Sequence, residues 1–267
     1  MAEELALTAK VEVKSGRTDW WGEIKGIFWL VVAVLGFHSL VAKPFYIPSE
    51  SMMPSLLIGD RLVVTKYPYG YSYVTPTFHV LPFMKGRLFG SVPKRGDIVI
   101  VTPPHARTDY IKRVIGLPGD LIEMHGGILY INGRQVSRAL KGERLIPIDD
   151  YTRCGLDTPP DQRNLYEGRV VSDAAGKQFC KVPIVRETLP EGASYDTIDL
   201  GMTGSDNFSP MRVPADHVFL MGDNRDNSAD SRMTIDQNGL GGAVPIESIG
   251  GRAGFITFSL DGSASWD

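Results

Sequence analysis

The sequence predicts a mostly β fold preceded by one apolar helix. Three observations carry that expectation. The chain has 29 glycines and 18 prolines among 267 residues, too many turn-formers for a helix bundle. Short β-branched runs bounded by Gly, Pro or Asp recur from residue 61 onward. A single long apolar run, IFWLVVAVLGFHSLVA, occupies residues 27–42. Hydrophobic residues make up 43% and charged residues 22%, which suits a packed core and excludes wholesale disorder. A net charge of −3 and a pI near 6.0 argue against a nucleic-acid binder that relies on bulk positive charge. Cys154 and Cys180 are too few for a disulfide scaffold and form no CxxC, so no zinc ribbon is indicated. No HExxH, GxxxxGK[ST] or GxSxG motif occurs.

In chain order, residues 1–26 are polar and mixed in charge, an expected cytoplasmic segment. The run 27–42 is slightly short for a membrane span, but the stems of Lys25 and Lys43 and the rings of Trp20 and Trp21 extend it. An uncleaved transmembrane helix is expected there. The rival readings are the buried helix of a soluble core and a cleaved signal peptide; the long n-region and Leu40, at the −3 position of a cut after Ala42, weigh against cleavage. Lys10, Lys14, Arg17 and Lys25 precede the run, against Lys43, Arg61 and Lys66 after it, a small bias towards an inside N-terminus. Strands are expected at 61–66, 97–102, 110–115, 121–124, 127–131, 134–137, 217–221 and 254–259, with a type I′ hairpin at Asn132-Gly133. Everything from 43 to 267 reads as one β domain, with 138–210 as an inserted or peripheral lobe. Residues 67–89 hold Tyr67, Tyr69, Tyr71, Tyr73, Phe78, Phe83 and Phe89. This cluster reads either as core packing or as an aromatic surface in the membrane interface.

Three segments draw attention for chemistry. In IPSESMMPSL, Pro48 and Pro54 fix φ on either side of a loop that holds Ser51. Ser51 lies nine residues past Ala42, within roughly 30 Å of it even when fully extended. A serine in such a turn is ordinarily a cap or a solvated hydroxyl. In DYIKRVIGLPGD, strand alternation puts Tyr110, Lys112 and Val114 on one face. Lys112 is then either an edge lysine or a buried one, and burial lowers a lysine pKa towards that of a working general base. GDNRDNSADSR (222–232) is dense in Asp and Asn, yet EF-hand spacing fails from either Asp223 or Asp226. A solvated polar loop is its plain alternative.

Taken together, PSESMMPSLLIGDRLVV, RGDIVIV with DYIKRVIGLPGD, and GDNRDNSADSR resemble the ordered boxes of type I signal peptidases, the membrane-anchored Ser-Lys proteases. VPIESIGGRAGFITFS is similar to the family's last strand. The resemblance covers about residues 43–134 and 212–259. It implies a signal-peptidase-like antiparallel β domain with an inserted lobe, and a serine endopeptidase that cleaves signal peptides from exported preproteins after small residues. Ser51 would be the nucleophile and Lys112 the general base. Ser228 would hydrogen-bond the lysine, and Ser49 with the Ser51 N–H would hold the oxyanion. Arg113, Asp230 and Arg232 would form a structural clamp. Phe45, Ile47, Pro48, Met52, Leu56, Tyr110 and Ile111 resemble the walls of shallow apolar substrate pockets. Neither metal nor other cofactor is implied; the partners would be preproteins and membrane lipid, not nucleic acid. The domain would face the periplasm, anchored by one pass through the inner membrane, and that oxidising compartment would favour a Cys154–Cys180 disulfide. Glu50 stands where the family often has Gly, a departure that is tolerable because its side chain can point outward. Two other readings stay open: a specialised Ser-Lys maturation peptidase of the same clan, and a membrane-anchored β domain that binds secreted chains without cutting them.

Overall fold

The computed structural model describes residues 19–76, 84–106, 108–155 and 163–259. Residues 1–18, Phe78 and Phe83 lie outside them. Among the described residues the single α-helix, α1, runs Trp20–Leu40. It starts where Asp19 caps the chain, its Oδ1 accepting the Gly22 N–H at 3.1 Å. The expected bounds of 27–42 therefore move towards the N-terminus. Residues 20–26 join the helix because a cap lies before Trp20, and the helix stops at Leu40 because Ala42 is already in a strand. Its 21 residues rise about 31 Å, close to the thickness of a bilayer's hydrocarbon core. None of them is buried in the protein, although Ile24, Ile27, Phe28, Leu30 and Val31 lie along it. The helix is thus not part of a soluble core; by length and composition it can cross a membrane.

The rest is β structure: β1 (Ala42–Tyr46), β2 (Asp60–Thr65), β3 (Ile98–Val101), β4 (Tyr110–Gly116), β5 (Leu121–His125), β6 (Ile128–Ile131), β7 (Arg134–Gln135), β8 (Ser137–Pro147), β9 (Val170–Ser172), β10 (Gln178–Thr188), β11 (Ser194–Ile198), β12 (Phe208–Arg212), β13 (His217–Met221), β14 (Val244–Pro245) and β15 (Ile249–Ser259). A seven-stranded sheet has the order β1-β2-β15-β3-β4-β13-β14. A second sheet, β12-β5-β6-β7, contains the predicted hairpin. Ile131 pairs with Arg134, and both loop residues have positive φ, 54° at Asn132 and 74° at Gly133. The third sheet, β11-β10-β8 with β9 on β10, is the lobe within 138–210. The end of that stretch, β12, leaves the lobe and pairs with β5 instead.

Two connections position the Ser51 loop against this frame. Only Val41 separates α1 from β1, and the Tyr71 hydroxyl donates to the Leu40 carbonyl at 2.9 Å. The loop from Ile47 closes on itself: Ile47 N–H donates to Asp60 O at 3.0 Å and Gly59 N–H to Ile47 O at 3.1 Å. The aromatic stretch divides. Tyr69 is core, buried with its hydroxyl on Asp97, whereas Tyr67 and Phe89 are exposed, Phe89 by 89%.

Candidate active site

Ser51 sits in a short 3-10 turn, Glu50–Met52, directly after β1 and the Pro48 bend. Met52 anchors that turn. It is fully buried in an apolar cluster with Ile47, Leu56, Leu62, Val64, Ile100 and Ile111, against which Phe45 packs. The expected pocket residues therefore gather in one place, with two exceptions. Pro48 is exposed on the surface, and Tyr110 is half-buried over a neighbouring cluster.

Lys112 reaches the turn from β4. Its Nζ donates to Ser51 Oγ at 2.8 Å and to the Ile111 carbonyl at 3.0 Å, and lies 5.8 Å from the centre of the Tyr110 ring. Lysine and serine are 3% and 7% exposed. Burial lowers the Lys112 pKa to about 8; the carboxylates of Asp230 and Asp223 oppose that fall, and Arg232 adds to it. The buried reading of Lys112 is thus the correct one. Ser49 Oγ lies 3.3 Å from Ser51 Oγ.

The 222–232 loop completes the surroundings and is largely buried. Its backbone pins the serine turn: Asn224 N–H donates to Ser51 O at 3.1 Å, and Asn224 Nδ2 to Glu50 O at 3.2 Å. Gly222 is required at its position. A Cβ there would fall 2.1 Å from Ser228 Oγ and 2.5 Å from Ser51 O. Asp230 is wholly buried, holding Arg232 through two bonds of 3.0 and 2.9 Å and accepting the Gly222 N–H at 3.0 Å. Burial alone would raise the Asp230 pKa. The Arg232 guanidinium and the two backbone N–H groups outweigh it and hold the carboxyl below its ordinary value.

Three expectations change here. Ser228 does not bond the lysine: its Oγ is buried and has no hydrogen-bond partner among the described residues. The Ile111 carbonyl orients Lys112 in its place. Arg113 does not join Asp230; it grips Asp223 through two bonds of 2.7 and 2.6 Å and stacks 4.2 Å over the Tyr195 ring. Strand alternation explains this, since Arg113 leaves β4 on the face opposite Lys112. Glu50 does not point away, for its Oε2 accepts Asn227 Nδ2 at 3.0 Å and its Oε1 the Arg153 N–H at 3.3 Å.

The buried ion pair of Arg225 with Glu187, at 2.8 and 2.5 Å, was not foreseen. It ties the loop to β10, with Tyr195 of β11 donating to the same carboxylate at 2.9 Å. Arg225 stands in a conspicuous motif, but Glu187 and Tyr195 lie in the lobe, where no pattern marks them.

A buried serine bonded to a buried lysine of lowered pKa can perform nucleophilic acyl transfer. The family model described as signal peptidase, peptidase S26, matches residues 20–258. Signal peptidase I of Rickettsia akari is 34% identical over 255 residues, covering 92% of this chain and 81% of the relative. That of Rickettsia typhi is 35% identical over 246 residues, covering 89% and 80%. The crystal structure of a signal peptidase I from Enterococcus faecalis is 25% identical and covers 60% of this chain and 95% of its own, with a TM-score of 0.30, too low to bear on the fold. On the family match and these identities, the chain belongs to the signal peptidase family, peptidase S26, and is a peptidase.

Proposed function

We propose that the protein is a serine endopeptidase that removes signal peptides from exported preproteins at the membrane surface, with Ser51 as nucleophile and Lys112 as general base. One observation carries the reading: the 2.8 Å bond between Lys112 Nζ and Ser51 Oγ in a buried setting that lowers the lysine pKa to about 8. A neutral amine accepts the Ser51 proton as Oγ bonds the scissile carbonyl carbon. The Ser51 N–H and the Ser49 hydroxyl stabilise the oxyanion. The protonated lysine then gives its proton to the departing amine nitrogen as the C–N bond breaks, leaving an acyl ester on Ser51. Water attacks that ester, passes a proton to Lys112, and the acid leaves as the proton returns to Ser51 Oγ.

Substrate binds extended, adding to a strand edge. Phe45, Ile47, Met52, Leu56 and Ile111 form shallow apolar pockets that admit only small side chains, which selects Ala-X-Ala-type sites. Arg113 with Asp223, and Arg232 with Asp230, act by holding the loop. Helix α1 crosses the inner membrane once, with residues 1–19 cytoplasmic and the β domain periplasmic, and brings Ser51 to the bilayer surface. The exposed Tyr67 and Phe89 support seating on lipid. The test is cleavage of a preprotein by the detergent-solubilised chain. Wild type is expected to release the signal peptide and Ser51→Ala to release none; cleavage by Ser51→Ala would end the reading.

A further inference from the structure

A cavity of about 450 Å³ opens beside the reacting pair, and its walls share no residue with the apolar cluster beneath Met52. Met202, Thr203, Asp226, Ser228, Met233 and Gln237 are among its walls. Ser228 joins it to the chemistry, because Ser228 Oγ and the Ser51 carbonyl flank the same glycine, Gly222. Ser228 is 6% exposed, and its hydroxyl has no partner among the described residues.

The cavity also carries charge. Asp226 accepts the Leu200 N–H at 2.5 Å and the Thr203 hydroxyl at 3.1 Å, and no cation pairs with it among the described residues. Nearby Asp199 is already paired with Arg138, and Asp206 accepts the Thr203 N–H at 2.6 Å. Arg232 is committed to Asp230 and to the Arg225 carbonyl. The site thus offers two methionine walls and one carboxyl that no cation pairs with among the described residues, while the Ser228 hydroxyl lies beneath its surface beside Gly222. A peptide matches that set: its apolar atoms suit the methionines and a basic side chain the carboxylate.

We propose that this cavity receives the first residues on the C-terminal side of the scissile bond, the new N-terminus of the mature chain, and that Asp226 favours basic over acidic side chains there. The inference rests on the peptidase reading above, which assigns the apolar cluster to the other side of the bond. The chain that continues past Ser51 needs walls which that cluster does not supply. Burial, reinforced by Asp199 and Asp206 and opposed by the Leu200 N–H, raises the Asp226 pKa to about 6, so the carboxyl is ionised at pH 8.

The test uses the full chain in detergent at pH 8 with peptides that differ only in the second residue after the cleavage site: Lys, Gln or Glu. Wild type is expected to favour Lys over Glu by about ten-fold in kcat/KM. Asp226→Asn should bring that ratio to within about two-fold, and Gln237→Lys at the exposed rim should invert it. The ratio is read within each variant, so a general loss of activity does not imitate the effect; if Asp226→Asn fails to fold, Gln237→Lys decides. Binding of the same peptides to Ser51→Ala reads the cavity without the chemistry, which separates failure here from failure of the peptidase reading. A flat Lys-to-Glu ratio in wild type, or a ratio unmoved by both substitutions, would overturn the proposal.

Discussion

Lys112 concentrates the conflict between stability and chemistry at this site. Its amine is buried without a carboxylate hydrogen-bonded to it, and its pKa falls from the ordinary 10.5 to about 8. Between those values the folded protein binds fewer protons than the unfolded chain, so stability rises with pH across that window. Below pH 8 the charged lysine opposes folding by ~3 kcal/mol. Lys112→Met should therefore melt several degrees higher than wild type at pH 7, and the gain should vanish towards pH 10.5. Thermal melts of both proteins across that range check this. A lower melting temperature for Lys112→Met at pH 7 would mean that the amine stabilises the fold and is not held dry. Lys112→Arg should be inactive, because a guanidinium stays protonated.

The elements around the pair are held by groups whose removal has distinct signatures. Gly222→Ala drives a methyl into Ser228 and the Ser51 carbonyl, and should lower turnover at least ten-fold. Preprotein assays beside a melting curve separate that loss from unfolding. Glu187→Gln leaves Arg225 charged and buried without its ionic partner, and should destabilise by ~3 kcal/mol, read in thermal or denaturant unfolding. Legibility in the sequence follows the same elements. β3 is wholly β-branched, β13 is apolar after His217, and β4 keeps β-branched residues on both sides of Lys112 and Arg113, so all three could be read directly. β10 could not: its sequence QFCKVPIVRET has Pro183 in the middle, a residue that argues against a strand. β1 was hidden because apolar residues run without a break from α1 into it; as the sheet's edge strand it tolerates Pro44. Ser51 and Lys112 were legible from their boxes, and strand alternation put Tyr110 on the lysine's face. The partner of Arg113 was not, since Asp223, Asp226 and Asp230 are equal candidates until the loop's path is known.

At the scale of the whole molecule, the lobe and the Ser51 turn are one structure. Cys154 and Cys180 form a disulfide, with Cα atoms 5.3 Å apart, inside a cluster that also contains Ile146, Tyr166, Val182, Ile198 and Met53. Met53 lies two residues past Ser51, so the lobe's core supports the Ser51 turn directly. The bridge closes a sequence separation of 26, and its loss should cost ~3 kcal/mol in the chain-entropy model. The double substitution Cys154→Ser, Cys180→Ser should accordingly melt well below wild type, and reductant should shift wild type towards it; coincident melts would show that the bridge carries no stability. The central claim, that a neutral Lys112 activates Ser51, is tested most directly by the pH dependence of kcat/KM for preprotein cleavage, wild type beside Lys112→Met. Wild type should gain activity through pH about 8 while Lys112→Met stays at background throughout. Turnover by Lys112→Met within ten-fold of wild type, or a wild-type profile that is flat through that pH, would contradict it.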